Sequence, residues 1–420
     1  KAGLIHHEKM LRLLLVAGVS VHALAPQRPG QPATALKSAL APAEAPPQAV
    51  AKADVSLAEC PLTQWGERFD VSAEQARARA VPLPEFIYEI TPAAIGCAAD
   101  DLVAQQAWLV ANKDLVAAKL SSHGAVLLKG WDLVKNPTGF REAYEAMDLS
   151  PCLDPLHAVS ARPMVDKGSA VYEAVNKESR SNFFIGMHNE FVGVRAPRAA
   201  MFVCFKDADV GGEFLVADGR AVFRDLDADL MARLYAKSIR YSVMELPFFG
   251  FIDAIPIAGA RDAVAGVVKG AVEAAINMKV DFDVSLRWRD AGASAYDQVR
   301  ALQARAPSQP PVVLHPKTGA PTWFCNVHSH SSLLRKKREE LYGAERFEGG
   351  ASQINKSDMY FGDDDSLSSA DLDELDATTT KHIKYVAMRP GDAILVDNYQ
   401  TMHGRNVFTG VRKHAVTWFE

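Results

Sequence analysis

Ser181-Asn-Phe-Phe-Ile-Gly-Met-His188-Asn-Glu190, with the run Gly211-Gly-Glu-Phe-Leu-Val-Ala-Asp218 that follows it, decides how the rest of the chain is read. The residues before His188 are apolar and β-prone, which predicts a strand with His188 and Glu190 at its end. On a strand, residues two apart project from one face. An imidazole and a carboxylate then stand side by side, two thirds of the 2-His-1-carboxylate set that holds a non-haem ferrous ion and leaves three positions open. Alone this is a weak signal, because a buried histidine beside a salt-bridged glutamate reads the same way. The missing ligand is offered by Asp397-Asn-Tyr-Gln-Thr-Met-His403-Gly-Arg405.

Composition limits the alternatives. Lys and Arg number 46 against 51 Asp and Glu, a formal charge of −5 with no basic stripe, so nucleic acid is not a favoured partner. An apolar fraction of 48% supplies a sizeable core. Five scattered cysteines form no CxxC pair and no disulfide framework, and read as free buried thiols.

Working outward, Met10 reads as an initiator and Leu11 to Val21 as a short apolar run with one positive charge. That run is too short to span a bilayer but fits a signal-peptide core, with Val21-His-Ala23 as a cleavage site. From Leu24 to Ala53 the chain is rich in Ala, Pro and Gln and cannot bury enough surface to order itself. The tract resembles bipartite plastid presequences, with plain secretion as the alternative. The expected organisation is a targeting and disordered segment over 1–70, then one domain over 80–420 with a charged insertion around 329–380, and no stable membrane span in the mature protein.

Within the domain the spacing predicts helices over 101–120, 140–147, 218–235, 258–280, 294–304 and 370–384. Strands are predicted over 124–130, 170–175, 199–205, 239–244, 310–315, 322–327, 390–397 and 412–418. Phe361-Gly-Asp-Asp-Asp365 lacks calcium-loop spacing and reads as a solvated turn. Short strands dominate the second half, with helices before and between them. The expected fold is mainly β with flanking helices (α+β), a β-sandwich or jelly-roll barrel, and not a doubly wound parallel sheet.

The ensemble closely resembles the taurine dioxygenase-like (TauD/TfdA) family of Fe(II)/2-oxoglutarate-dependent oxygenases over roughly Leu83 to Glu420. The matching residues are Gly124-Ala-Val-Leu-Leu-Lys-Gly130, His188-Asn-Glu190, Gly211-Gly-Glu213 with Ala217-Asp218, His315-Pro-Lys-Thr-Gly319, Trp323-Phe324, Asn326, Gly391-Asp392, Asp397-Asn398 and His403-Gly-Arg405 with Phe408 and Gly410. The resemblance implies a double-stranded β-helix (jelly-roll) fold with His188, Glu190 and His403 as iron ligands. It also implies 2-oxoglutarate as cosubstrate with O2, and oxidation of an unactivated C–H bond with release of succinate and CO2. The far carboxylate of 2-oxoglutarate suits a planar fork donor. Arg412 lies about where the family's anchoring arginine falls, which leaves Arg405 a structural role. His328 and His330 are expected at the pocket rim or in structural roles, and His315 and His414 on local backbone groups. Loops around 155–182 and 245–260 are expected to set pocket selectivity.

Two residues depart from the family pattern. Glu190 stands where most members have aspartate. Phe214 stands where threonine often helps hold 2-oxoglutarate, and a phenyl ring donates no hydrogen bond. The leading reading is a dioxygenase that hydroxylates a small polar substrate. The alternatives are a catalytically weak or inactive barrel that binds a metal or small molecule, and a structural zinc site, which would favour four protein ligands.

Overall fold

The strand Ala199–Lys206 has no polar face, and the fold explains why. Met201 and Val203 point into one core, shared with Leu109, Val116, Phe140 and Tyr144 of the flanking helices Leu102–Ala111, Lys113–His123 and Pro137–Ala146. Phe202 and Cys204 point into a second core on the opposite side. Leu395 and Val396 divide between the same two cores. Each such side chain, fully buried, contributes on the order of 1.5–3 kcal/mol.

The computed structural model describes residues 54–155, 162–174, 183–191, 194–280, 282–290, 300–342 and 357–420. The strand Ala199–Lys206 sits inside an eight-stranded sheet. Its order is Tyr88–Ile90, Ala125–Leu128, Ala393–Asp397, Ala199–Lys206, Lys413–Phe419, Val171–Glu173, Met164–Asp166, with Pro151–Cys152 also on Lys413–Phe419. Only the first pair is parallel. Phe214 and Val216 of a four-stranded antiparallel sheet share the second core with Phe202, Val396 and Trp418. That sheet runs Lys384–Val386, Phe214–Asp218, Thr401–Arg405, Ile185–His188. No helix among the described residues is long and apolar enough to cross a membrane.

Three expectations need correction. The body starts before residue 70. Cys60 is wholly buried, Ala58 and Leu62 bridge to Cys152 and Arg195, and Trp65 packs on Phe191 and Phe324 at 6.2 and 6.0 Å. A strap whose partners all lie far along the chain has no periodicity to reveal it. The targeting reading of the first 53 residues lies outside the described residues.

Residues 301–304, expected as the end of a helix, lie in the strand Ala301–Arg305 between Ser285–Arg289 and Ile239–Leu246, while 291–299 lie outside the described residues. Ala-Leu-Gln-Ala-Arg is helix-prone, but tertiary partners override that preference. Gln303 Nε2 donates to Glu245 at 2.6 Å, and the Arg305 guanidinium donates to Gln303 Oε1 at 2.9 Å and to Asp364 at 3.0 Å.

Asp364 in turn also accepts from Arg240 and Arg287, so the acidic turn clamps three arginines and is not simply solvated. The excursion over 329–369 likewise carries the helix Ser332–Tyr342 and the strand Met359–Phe361. As expected, Ala258–Asn277 is helical and all five cysteines are free.

Candidate metal centre

The strands Ile185–His188 and Thr401–Arg405 are antiparallel neighbours in a register that sets His188 directly opposite His403. Opposed residues bring their side chains together, and here the ring centroids are 4.4 Å apart. His403 Nε2 lies 3.3 Å from Glu190 Oε1. One ligand atom from each of His188, Glu190 and His403 falls within 4.8 Å of the other two.

Glu190 does not reach this point by strand geometry. The strand ends at His188, and two asparagine side chains then hold the chain as a third strand would. Asn326 accepts the Asn189 N–H at 2.8 Å and donates to its carbonyl at 3.2 Å. Asn398 accepts the Glu190 N–H at 2.8 Å and donates to its carbonyl at 2.7 Å and to that of Pro197 at 2.8 Å. Both asparagines are buried, so these bonds replace water that cannot reach the backbone.

The back of the strand is held as closely. A Cβ on Gly186 would stand 2.7 Å from the His328 carbonyl oxygen and 2.9 Å from Ser329 Cα, a separation only glycine permits. The Met187 N–H donates to His328 Nδ1 at 2.9 Å, and Nε2 lies 2.7 Å from Arg338 Nη2 and 3.2 Å from Asp376, so His328 is structural. Burial, then the nearby Arg338, push His328 down to about 4. His330 packs on Tyr241 and stays outside the cluster. His315 accepts the Lys317 and Thr318 N–H groups, as expected, and also bonds Asp397 at 2.9 Å.

The donor set fits a ferrous ion. His188 Nδ1 lies 2.9 Å from the Gly186 carbonyl, which can only accept, so the proton is on Nδ1 and the Nε2 lone pair is free to ligate. Burial, then the neighbouring His403, push His188 down to about 3, so it is neutral at any ordinary pH. Burial alone would raise the Glu190 carboxyl, but the Arg162 guanidinium and then His403 hold it well below the usual carboxylate range. Two imidazoles and one ionised carboxylate are hard-to-borderline donors of the kind Fe(II) takes. His403 Nδ1 is buried with no hydrogen-bond partner among the described residues. Its ring is instead held by Phe202 at 4.8 Å and by Phe214, nearly parallel at 5.8 Å.

These residues line a cleft with about 470 Å³ of empty space, part of it open to solvent. Arg412, at 4% exposure, faces this cleft and not bulk water. Its Nε donates to the Gly212 carbonyl at 3.2 Å and its Nη2 to His414 Nδ1 at 2.8 Å. Burial, then Arg405, bring Arg412 down to about 9. His414 therefore serves the arginine side chain and the cleft wall, a correction to its expected local role. Arg405 bonds the carbonyls of Phe183 and Asn406, in keeping with a structural part, while its side chain also borders the cleft.

Of the two loops expected to shape selectivity, 155–182 contributes Arg162 and Ala174 among the described residues, and none of the described side chains of 245–260 is in the lining. Arg162 donates to both Glu190 oxygens at 3.2–3.4 Å. Sequence reasoning missed it, because Arg162-Pro163 lies in a stretch without periodicity and belongs to none of the motifs that carry the ligands.

The family model described as "Taurine catabolism dioxygenase TauD, TfdA family" matches residues 87–418. No curated protein matches the chain. Among solved structures, PvcB from Pseudomonas aeruginosa is 14% identical, covering 80% of this chain and 86% of that one with a TM-score of 0.43. An asparagine oxygenase in complex with Fe(II), hydroxyasparagine and succinate is 14% identical, covering 83% and 91% with a TM-score of 0.42. AAD-2 in complex with Mn(II) and N-oxalylglycine is 11% identical, covering 80% and 93% with a TM-score of 0.41. Likenesses so remote leave the assignment to the family match, which spans most of the chain and includes all three clustered side chains: the protein belongs to the TauD/TfdA family of Fe(II)/2-oxoglutarate-dependent oxygenases, which act on small molecules.

Proposed function

We propose that His188, Glu190 and His403 hold the ferrous ion and that Arg412 takes the far carboxylate of 2-oxoglutarate. The observation that carries this reading is the convergence of the three ligands on one point, with a buried arginine in the same cleft. When bound, the iron couples O2 reduction and the splitting of 2-oxoglutarate into succinate and CO2 to oxidation of a substrate C–H bond. The rest falls to the chain. His188 and His403 supply nitrogen donors, Glu190 supplies the single negative charge, and Phe202 and Phe214 keep water from the His403 side. The Gly212 carbonyl and His414 fix two guanidinium N–H groups of Arg412, which orients its fork. The two facing sheets form the jelly roll, or double-stranded β-helix. The substrate is a small polar molecule and the outcome hydroxylation, with the first 53 residues acting as a leader for a plastid or for secretion.

The test is purified protein with Fe(II), ascorbate and 2-oxoglutarate, read by succinate. Release of succinate supports the reading, and its loss in His403→Ala ties it to this site. Phe214 favours a second reading, a weak or inactive barrel, because it puts a ring where a hydroxyl would hold the cosubstrate. Protein that binds Fe(II) but neither binds nor consumes 2-oxoglutarate would establish that second reading.

A further inference from the structure

Glu190 carries one methylene more than the aspartate common at this position, and its two oxygens have different neighbours. Oε1 faces His403 Nε2 at 3.3 Å, on the side where the three ligands converge. Arg162 straddles both oxygens: Nη2 lies 3.2 Å from Oε2 and 3.4 Å from Oε1, and Nη1 lies 3.3 Å from Oε1. A longer carboxylate can turn both oxygens toward one cation, and a second oxygen would fill one of the three positions that a bidentate 2-oxo acid and O2 need.

Arg162 is itself held in place. Its guanidinium lies 4.7 Å over the Trp418 ring, its Nε is 3.8 Å from the Asp154 carboxylate, and its backbone N–H donates to that same oxygen at 3.1 Å. The Asp154 side chain is wholly buried, and the Arg162 side chain is 21% exposed. A guanidinium that only neutralised a surface acid would need neither the ring nor the second acid.

We propose that Arg162 is a positioning residue whose fork spans both oxygens of Glu190 and so opposes their turning together onto one cation, which leaves Oε1 toward His403 as the single oxygen offered to the metal and keeps the cosubstrate's position open. This rests on the reading of His188, Glu190 and His403 as the iron site. It also gives the glutamate a partner that a shorter aspartate would not need.

The test uses the full chain under anaerobic conditions, with Co(II) as the probe metal and 2-oxoglutarate titrated into the loaded protein. Arg162→Gln is expected to bind Co(II) no more weakly than the unaltered chain. Its visible Co(II) spectrum should change, because a second carboxylate oxygen takes a position otherwise left to solvent, and its affinity for 2-oxoglutarate should fall at least tenfold. Arg162→Lys keeps the charge but lacks the fork, and should fall between the two. Should Arg162→Gln fail to fold, the lysine variant carries the test alone. A folded variant with an unchanged Co(II) spectrum and unchanged 2-oxoglutarate affinity overturns the inference. An unaltered chain that bound no Co(II) would overturn the iron-site reading first, and this inference with it.

Discussion

At the scale of single residues, the cleft is built around unequal treatment of charge. The cluster keeps its imidazole at 188 neutral by burial and its carboxylate ionised by a neighbouring guanidinium, while Arg412 sits buried with its orientation set by a carbonyl and a neutral ring. Replacing Arg412 by Gln removes the fork and should weaken 2-oxoglutarate binding by roughly tenfold to a hundredfold, the range for charged hydrogen bonds of about 1.5–3 kcal/mol. Initial rates of succinate formation against 2-oxoglutarate concentration check this. The apparent KM should rise much more than kcat falls, and an unchanged KM would remove Arg412 from its role. That His188, Glu190 and His403 converge was legible in the sequence because metal chemistry admits few residue types, and the place of Arg412 in the same cleft followed from the family's spacing. Arg162 was not, since an arginine in an irregular loop carries no sign of what it touches.

Among the elements, the segment after Ile185–His188 shows how side chains extend a sheet past its last backbone pair. Asn398 makes three bonds to the backbone around Glu190 and Pro197, and its own segment follows the strand Ala393–Asp397. Asn398→Ala strands one buried N–H and two buried carbonyls, which should cost roughly 3 kcal/mol of stability. Metal affinity should fall about tenfold to a hundredfold, as is typical when a residue supporting a ligand is lost. Thermal melts with and without Fe(II) measure both, and a variant that melts and binds as the unaltered chain does would show the clamp to be idle. The strands Ala125–Leu128, Ala199–Lys206, Ala393–Asp397 and Lys413–Phe419 were readable from their apolar runs, whereas Phe214–Asp218 and Thr401–Arg405 were not among the predicted strands. The strand Ala301–Arg305 was not, because its local preference is helical and its partners, Glu245 and Asp364, are remote in sequence.

For the whole molecule, buried histidines tie stability to pH. His328 and His330 are each pushed from 6.5 down to about 4, chiefly by burial, so both are neutral in the folded chain and charged when it unfolds in mild acid. The unfolded state then binds more protons, and stability present above pH 6.5 is lost as the pH falls from 6.5 toward 4. A shift of this size is worth about 3 kcal/mol for His328 alone. Melting temperature should decline steadily across that window, and a flat profile would contradict the assignment of these rings as neutral. The body of sheets with flanking helices was legible from strand spacing, whereas the strap around Cys60 and Trp65 was not, because only the assembled sheets give it partners. The account as a whole depends on residues 188, 190 and 403 forming one metal site across more than two hundred residues of chain. The most direct measurement is anaerobic Fe(II) binding by the unaltered chain beside His403→Ala. The account predicts one equivalent per chain, lost or weakened at least a hundredfold in the variant, and full-affinity binding retained by His403→Ala would contradict it.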